Sequence, residues 1–378
     1  MAEVISQRLI RLSKSCLSDV EKEAVQAVLD REFLGMGSEV QRFEEALSDY
    51  FGRPVACVVN GTAALHLALQ AAGVGPGDEV LVQSLTYVAS FQAISATGAM
   101  PVACDVESET LTLDWRDAEH RLSPRTRAIM PVHYGGHTGM LDEIYRFADR
   151  HDLRVIEDAA HAFGSVHRDR RVGGFGDVAC FSFDGIKNIT SGEGGCIVSD
   201  DEALLARVRD ARLLGVERDT ERRYAGGRSW DFDVTAQGWR YHMSEIMAAI
   251  GLEQLQRKET LLSRRKLLAQ RYVGRLSGAP GIRPVMSDFI DTVPHIFPVR
   301  IKGLSDREGL RKRLRKRGIE TGVHYFPNHA LSFFTAPEAR PLPVTDTVYP
   351  ELLTLPLHPD LEEEDIDTVV TALIEELT

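Results

Sequence analysis

The sequence predicts a two-domain α/β protein: a mostly parallel sheet covered by helices on both faces, with a smaller α/β unit packed on it. Three observations predict it. From about residue 40 to 210, near-continuous apolar runs of strand length alternate with helical patterns. From about residue 245 the pattern changes to long helices with few strands. At 378 residues, the chain is long enough for one large domain and a smaller one.

The elements follow in order. Pro54–Val59 is a short apolar strand, and Thr62–Ala72 a helix carrying Leu65, Leu67, Leu69 and several alanines. Gly73, Gly75, Pro76 and Gly77 end that helix. Glu79–Val82 is the next strand and Tyr87–Ala96 the next helix, with further strands at Pro101–Asp105, Ala128–Val132 and Arg154–Asp158. Past the change in pattern, Ser244–Lys258 is a helix whose apolar stripe is Ile246, Ala249, Ile250, Leu252 and Leu255. A longer helix, Glu259–Leu276, follows it. His295–Ile301 is a strand, Arg307–Arg317 a helix, Pro337–Pro343 a loop and Glu362–Leu377 the last helix. The division between units falls at 1–245 and 246–378. No internal repeat and no low-complexity segment interrupts the chain.

Composition narrows the function. A hydrophobic fraction of 43% and a charged fraction of 26% are those of an ordinary globular protein. The net charge of -12 argues against a nucleic-acid partner, because no basic face is implied. One dense basic run, Arg311 to Arg317, reads as a solvated helix face before it reads as a phosphate site. None of the five cysteines forms a Cys-x-x-Cys pair, and Cys57, Cys104, Cys180 and Cys196 lie in apolar runs, as buried thiols in a reducing compartment do. Met1 to Leu9 carries no apolar segment of signal-peptide length, and no window approaches the roughly 18 apolar residues of a membrane span. A cytoplasmic protein is expected.

Sheets of this kind hold ligands at the carboxyl ends of their strands. Asn60, Asp158 and the segment before Lys187 fall at such ends. Val155-Ile156-Glu157-Asp158 closes an apolar strand with a carboxylate, and Phe181-Ser182-Phe183-Asp184-Gly185-Ile186-Lys187-Asn188 carries one lysine toward Gly192-Glu193-Gly194-Gly195. Alone, Lys187 reads as a solvated loop lysine. Paired with Asp158 it suits pyridoxal phosphate, because the amine can form a Schiff base with the cofactor aldehyde. The carboxylate would keep the pyridine nitrogen protonated, since a neighbouring negative charge favours the cationic ring.

With both segments in view, the chain resembles the DegT/DnrJ/StrS family of sugar aminotransferases dependent on pyridoxal phosphate, from Gly35-Met36-Gly37 to Leu355-Pro356-Leu357-His358-Pro359. The resemblance implies the aminotransferase fold type I: a large domain with a mostly parallel sheet in an αβα sandwich, and a smaller C-terminal α/β domain against which the N-terminal segment packs. Gly61, Thr62 and Ala63 match the Gly-Thr-x-Ala segment that holds the cofactor phosphate, although unaided they read as an ordinary helix start capped by Asn60 or Thr62. Ser182 matches the hydroxyl that joins them. Tyr87 stands where the family stacks an aromatic on the pyridine ring, and His161 where it places His or Gln. Gly238-Trp239-Arg240-Tyr241-His242-Met243 matches a motif that commonly reads Gly-Tyr-Asn-Tyr-Arg-Met and reaches the phosphate of a neighbouring subunit's cofactor. Arg240 and His242 depart from that pattern, yet both can donate to phosphate. His324, Tyr325 and His329 match the sugar side of the pocket, with structural loop residues as the alternative.

The implied activity is transfer of an amino group from glutamate to a keto sugar linked to a nucleotide, in a homodimer with active sites at the subunit interface. Three alternatives stand beside it: a cyclitol aminotransferase, a sugar dehydratase on the same scaffold, and a non-catalytic cofactor-binding regulator. The dehydratases carry His in place of the Schiff-base lysine, so Lys187 argues against that reading. A regulator has no need of both Lys187 and Asp158. No metal site is expected.

Overall fold

The computed structural model of the chain describes residues 8–228, 230–335 and 340–377. Its centre is a sheet of seven strands: β1 (Val55–Val58), β2 (Glu79–Gln83), β3 (Met100–Cys104), β4 (Thr126–Met130) and β5 (Arg154–Asp158), then, past a small hairpin of β6 (Val166–His167) and β7 (Arg170–Arg171), β8 (Val178–Ser182) and β9 (Gly195–Ser199). The order across the sheet is β1-β9-β8-β5-β4-β2-β3. β9 runs antiparallel to both of its neighbours, whereas the β2–β3, β2–β4, β4–β5 and β5–β8 pairings are parallel. Six strands therefore share one direction, and their carboxyl ends meet at one edge of the layer.

Side chains alternate across this sheet, so its two faces bury different clusters. Ala56, Val58, Val80, Val82, Met130 and Ile156 point one way, onto Leu65, Leu67, Phe91, Leu204 and Val208 of the covering helices. Val55, Cys57, Leu81, Ile129 and Val155 point the other way. Helix α2 (Ser38–Phe51), which follows α1 (Asp19–Asp30), lies on that second side, where Phe43 and Leu47 fill the space. The first face is covered by α3 (Gly61–Ala71), α4 (Val88–Ala96) and, after α5 (Trp115–His120) and α6 (Leu141–Arg150), by α7 (Glu202–Ala211). Both faces are dry. That is the arrangement a parallel sheet needs.

The short helix α8 (Asp219–Tyr224) leads to α9 (Glu245–Gln256) and α10 (Lys258–Leu276), close to the bounds expected from periodicity. A second sheet, antiparallel throughout, joins β10 (Ile282–Pro284), β11 (Phe297–Ile301) and β12 (Leu352–Leu355). It packs with α10, α11 (Arg307–Lys316) and α13 (Glu363–Leu377) around Tyr272, Phe297, Leu310, Leu353 and Val369. Ile10 belongs to the same cluster and bridges Ile319, and the Leu357 amide donates to Leu12 O at 3.0 Å. Between them, α12 (Pro343–Val348) starts on a proline, the residue whose missing N–H costs nothing at a helix start. The expected Pro337–Pro343 loop lies partly outside the described residues.

Strand ends shift by one or two residues from the expectation, and two of the shifts have a clear local reason. β4 stops at Met130 because Pro131 has no N–H to donate, and its carbonyl instead accepts from the Asp158 amide at 2.9 Å. β11 starts at Phe297, because the His295 amide donates to Gly135 O at 3.1 Å and turns that segment toward the first sheet. The arginines of the basic run are engaged by acids: Arg313 meets Glu376 at 2.8 Å and Arg317 meets Glu375 at 2.6 Å, both on α13. Among the described residues, no helix is long and apolar enough to cross a membrane.

Candidate active site

A cavity of about 440 Å³ opens at the shared carboxyl edge of the large sheet and is closed on the other side by the second unit. Asp158, the last residue of β5, lies in its wall, buried. Its carboxylate accepts from Ser90 Oγ at 2.7 Å and from the Ala160 amide at 3.2 Å. Burial raises the pKa of Asp158; those two bonds and the Lys187 charge offset part of the rise.

Lys187 lines the same cavity, in the loop from β8 to β9. Its amide donates to Asp184 O at 3.0 Å, closing a tight turn that aims the side chain inward. Burial pushes its amine down to about 8, against the pull of Asp158 and Asp184. Burial therefore wins on both partners, and each is less charged than it would be in water. An amine poised this way is a nucleophile near neutral pH.

The start of α3 forms the next wall. Asn60 caps it, its side chain accepting from the Ala63 amide at 2.8 Å, so Ala63 stands behind the cavity with its N–H already engaged. Gly61 and Thr62 line the cavity together with Ser182. A Cβ on Gly61 would stand 2.8 Å from Ser182 Cβ and 3.1 Å from its Oγ, so only glycine lets these segments approach. Free amides at a helix start beside two hydroxyls suit a dianionic phosphate. Gly61→Ala is expected to raise the dissociation constant for pyridoxal 5'-phosphate about tenfold, roughly 1.4 kcal/mol. Fluorescence titration of the cofactor-free protein measures it, and unchanged affinity would contradict the cradle.

Tyr87 stands at the mouth, 60% exposed, its ring 5.7 Å from that of Tyr325. His161 accepts from the Gly135 amide at Nδ1 (3.3 Å), so its Nε2–H faces Tyr325 Oη at 2.9 Å. Burial, then the Lys187 charge, holds His161 well below the usual range, which keeps this tautomer neutral. His324 also lines the cavity, with Nδ1 2.9 Å from Thr354 Oγ1 and its pKa pushed down to about 4 by burial and by Lys187.

Three expected residues stand elsewhere. His329 is held outside the cavity lining, Nδ1 2.7 Å from Ser84 Oγ and Nε2 3.2 Å from Asp346. Arg240 and His242 lie beyond the free edge of β1, where the Val59 amide donates to Tyr241 O at 2.7 Å and Val58 bridges His242. Burial and the nearby Arg223 and Arg240 push His242 down to about 4. The structure also adds cavity residues that the sequence reading passed over: Asp184, Glu193 and His295. The last had no local signal, because it sits at the head of an apolar run.

Pyridoxal 5'-phosphate needs an amine for its aldehyde, an acid at its ring nitrogen, donors for its phosphate and a wall for its ring. This cavity holds one of each in Lys187, Asp158, the Gly61–Thr62–Ser182 cradle and Tyr87. Fold and site together define a pyridoxal-phosphate enzyme of the aminotransferase type. The comparisons with known proteins agree. The sequence model of the DegT/DnrJ/EryC1/StrS aminotransferase family matches residues 15–374. The spore coat polysaccharide biosynthesis protein SpsC of Bacillus subtilis (strain 168) is 35% identical over 366 residues, 94% of each chain. The aminotransferase TlmJ from Streptoalloteichus hindustanus superposes with a TM-score of 0.90 at 33% identity, covering 98% of this chain and 99% of that one. The PLP-form of the putative sugar aminotransferase Spr1654 from Streptococcus pneumoniae gives 0.90 at 29% identity, over 98% and 100% of the two chains. The chain belongs to the DegT/DnrJ/EryC1/StrS aminotransferase family and is a sugar aminotransferase dependent on pyridoxal phosphate.

Proposed function

We propose that the chain moves an amino group from glutamate to a keto sugar linked to a nucleotide. The observation that carries this reading is the buried Lys187–Asp158 combination in one cavity, each partner biased by burial toward its uncharged form. When bound, pyridoxal phosphate supplies the electrophilic carbon and electron-withdrawing ring through which an amino group is exchanged. Lys187 Nζ would hold the cofactor through its aldehyde carbon and, as a free amine, would take up and return the substrate's α proton. Asp158 holds the proton on the ring nitrogen. Gly61, Thr62 and Ser182 hold the phosphate, and Tyr87 covers one ring face. The His161–Tyr325 bond fixes the phenol in the cavity wall without adding charge.

Two features support a substrate larger than a free sugar. Phe326, which follows the cavity residue Tyr325, and Phe333 are 48% and 75% exposed, flat apolar surfaces of the kind that receive a base. SpsC, similar over nearly the same length, is a spore coat polysaccharide biosynthesis protein. The reading is tested with glutamate and a panel of nucleotide-linked keto sugars, scored by mass for an amino product. Amination of free cyclitols alone would sink it.

The second copy of the chain belongs to the same proposal. Among the described residues lining the cavity there is no arginine, although a phosphate and a carboxylate must both be held there. We assign the missing cation to Arg240 of a second copy. Exposed Leu214, Trp230, Phe232 and Val234 near that segment supply apolar area for the contact. Mixing the inactive Lys187→Ala chain with an impaired Arg240→Ala chain is then expected to restore activity, up to about a quarter of wild type, since half of the dimers are mixed and each has one intact site. No recovery on mixing, or a monomer by sedimentation, would reject the shared site. Five free thiols, four of them buried, support a reducing, cytoplasmic setting.

A further inference from the structure

Arg265 lies within Arg264-Arg265-Lys266 on α10, a run that reads as a solvated helix face, yet it is 1% exposed. Its four acceptors are all backbone carbonyls, and none is a carboxylate. Nη2 donates to Ile186 O at 3.1 Å and to Lys187 O at 3.4 Å. Nη1 donates to His295 O at 3.1 Å and to Leu357 O at 3.3 Å. One nitrogen thus grips the loop that carries the reactive lysine. The other grips two segments of the second unit, one of them bearing the cavity residue His295. A planar guanidinium fixes both directions at once, which an ammonium cannot do. Burying a cation without an acid is costly, and it pushes Arg265 down to about 10. Packing alone would favour a methionine at such a position.

We propose that Arg265 is a positioning residue: its fork clamps the Lys187 loop to the segments at His295 and Leu357, and so fixes where the Lys187 amine stands in the cavity. The proposal rests on Lys187 being the amine that bonds the cofactor. A second consequence follows from its charge. Lys187 shares its surroundings with Asp158 from β5, Asp184 and Glu193 from its own loop, His161 beyond β5, and His295, His324 and Tyr325 from the second unit. Burial does most to lower the amine, the two aspartates raise it, and the Arg265 charge lowers it further.

Two variants separate clamp from charge. Arg265→Lys keeps the charge and loses the fork; Arg265→Met loses both. With cofactor bound, the rate of the half-reaction with L-glutamate is expected to fall about tenfold in Arg265→Lys with KM within about twofold, because a misplaced amine slows the chemistry rather than the binding. In protein stripped of cofactor, capture of Lys187 by fluorodinitrobenzene, located by peptide mass, reports the uncharged amine without any turnover. Its midpoint is expected near pH 8 in the wild type and in Arg265→Lys. In Arg265→Met it should move up, since removing a neighbouring positive charge favours the protonated amine. A wild-type rate in Arg265→Lys overturns the clamp whether or not Arg265→Met folds, and an unmoved midpoint in a folded Arg265→Met overturns the charge effect. Failure of the underlying reading shows separately, as a wild-type protein whose cofactor, reduced onto the chain by borohydride, maps to another residue.

Discussion

Replacing Lys187 by alanine is expected to lower turnover by about four orders of magnitude or more, while the protein folds and still takes up pyridoxal 5'-phosphate. The fold survives because the loop does not depend on the lysine side chain. Its backbone is held by the Lys187 amide on Asp184 O, and by Arg265 on the Ile186 and Lys187 carbonyls. The cofactor is still held, because the Gly61–Thr62–Ser182 cradle and Asp158 are untouched. What disappears is the only amine lining the cavity among its described residues, and with it the group proposed as covalent anchor and proton carrier. Two measurements check this. Borohydride reduction of the loaded variant should leave no cofactor on the chain, and a small primary amine such as methylamine should restore part of the lost rate by standing in the vacated space. A variant that turns over at the wild-type rate would mean that the proton travels through another group.

Part of this site was legible from local signals, whereas Ser182, Tyr87, His161, His324 and Tyr325 rested on the family resemblance. A carboxylate at the end of an apolar strand announces Asp158, and a lysine between Asp184-Gly185 and the glycines after Gly192 announces a constrained loop. The cap at Asn60 and the glycine after it mark the start of α3 in the same way. These signals need only a few neighbouring residues to be read. What was not legible came from contacts between segments far apart in the chain. The reversed direction of β9 has no sequence signature, because burial on both faces looks the same whichever way a strand runs. His295 reads as the start of a strand, and only its bond to Gly135, 160 positions earlier, turns it into the cavity. Arg265 is the extreme case: its sequence neighbourhood predicts solvent, and its four partners come from three separate segments. His329 shows the converse, a motif residue whose side chain is spent on Ser84 and Asp346 instead of facing the cavity.

The same distinction between local signal and tertiary environment decides how Asp158 works. A strand-end carboxylate is common, and by itself says nothing about ring chemistry. Burial raises the pKa of Asp158, so the carboxylate alone is reluctant to carry its charge there. Ser90 and the Ala160 amide keep it oriented, and a cationic partner completes it, which is the property required of a residue that must hold a proton on a neighbouring ring nitrogen. Asp158→Asn keeps the shape and loses the charge. Its turnover is therefore expected to fall by about two to three orders of magnitude, smaller than the loss at Lys187 because the anchor and proton carrier remain. Rapid-mixing absorbance with L-glutamate should show the loss in the step that removes the α proton, with a deuterium isotope effect on that step larger than in the wild type. Asp158→Glu, which keeps the charge but shifts its position, should recover part of the rate. An Asn variant within a few fold of wild type would show that the ring does its work unprotonated, and would remove Asp158 from the chemistry.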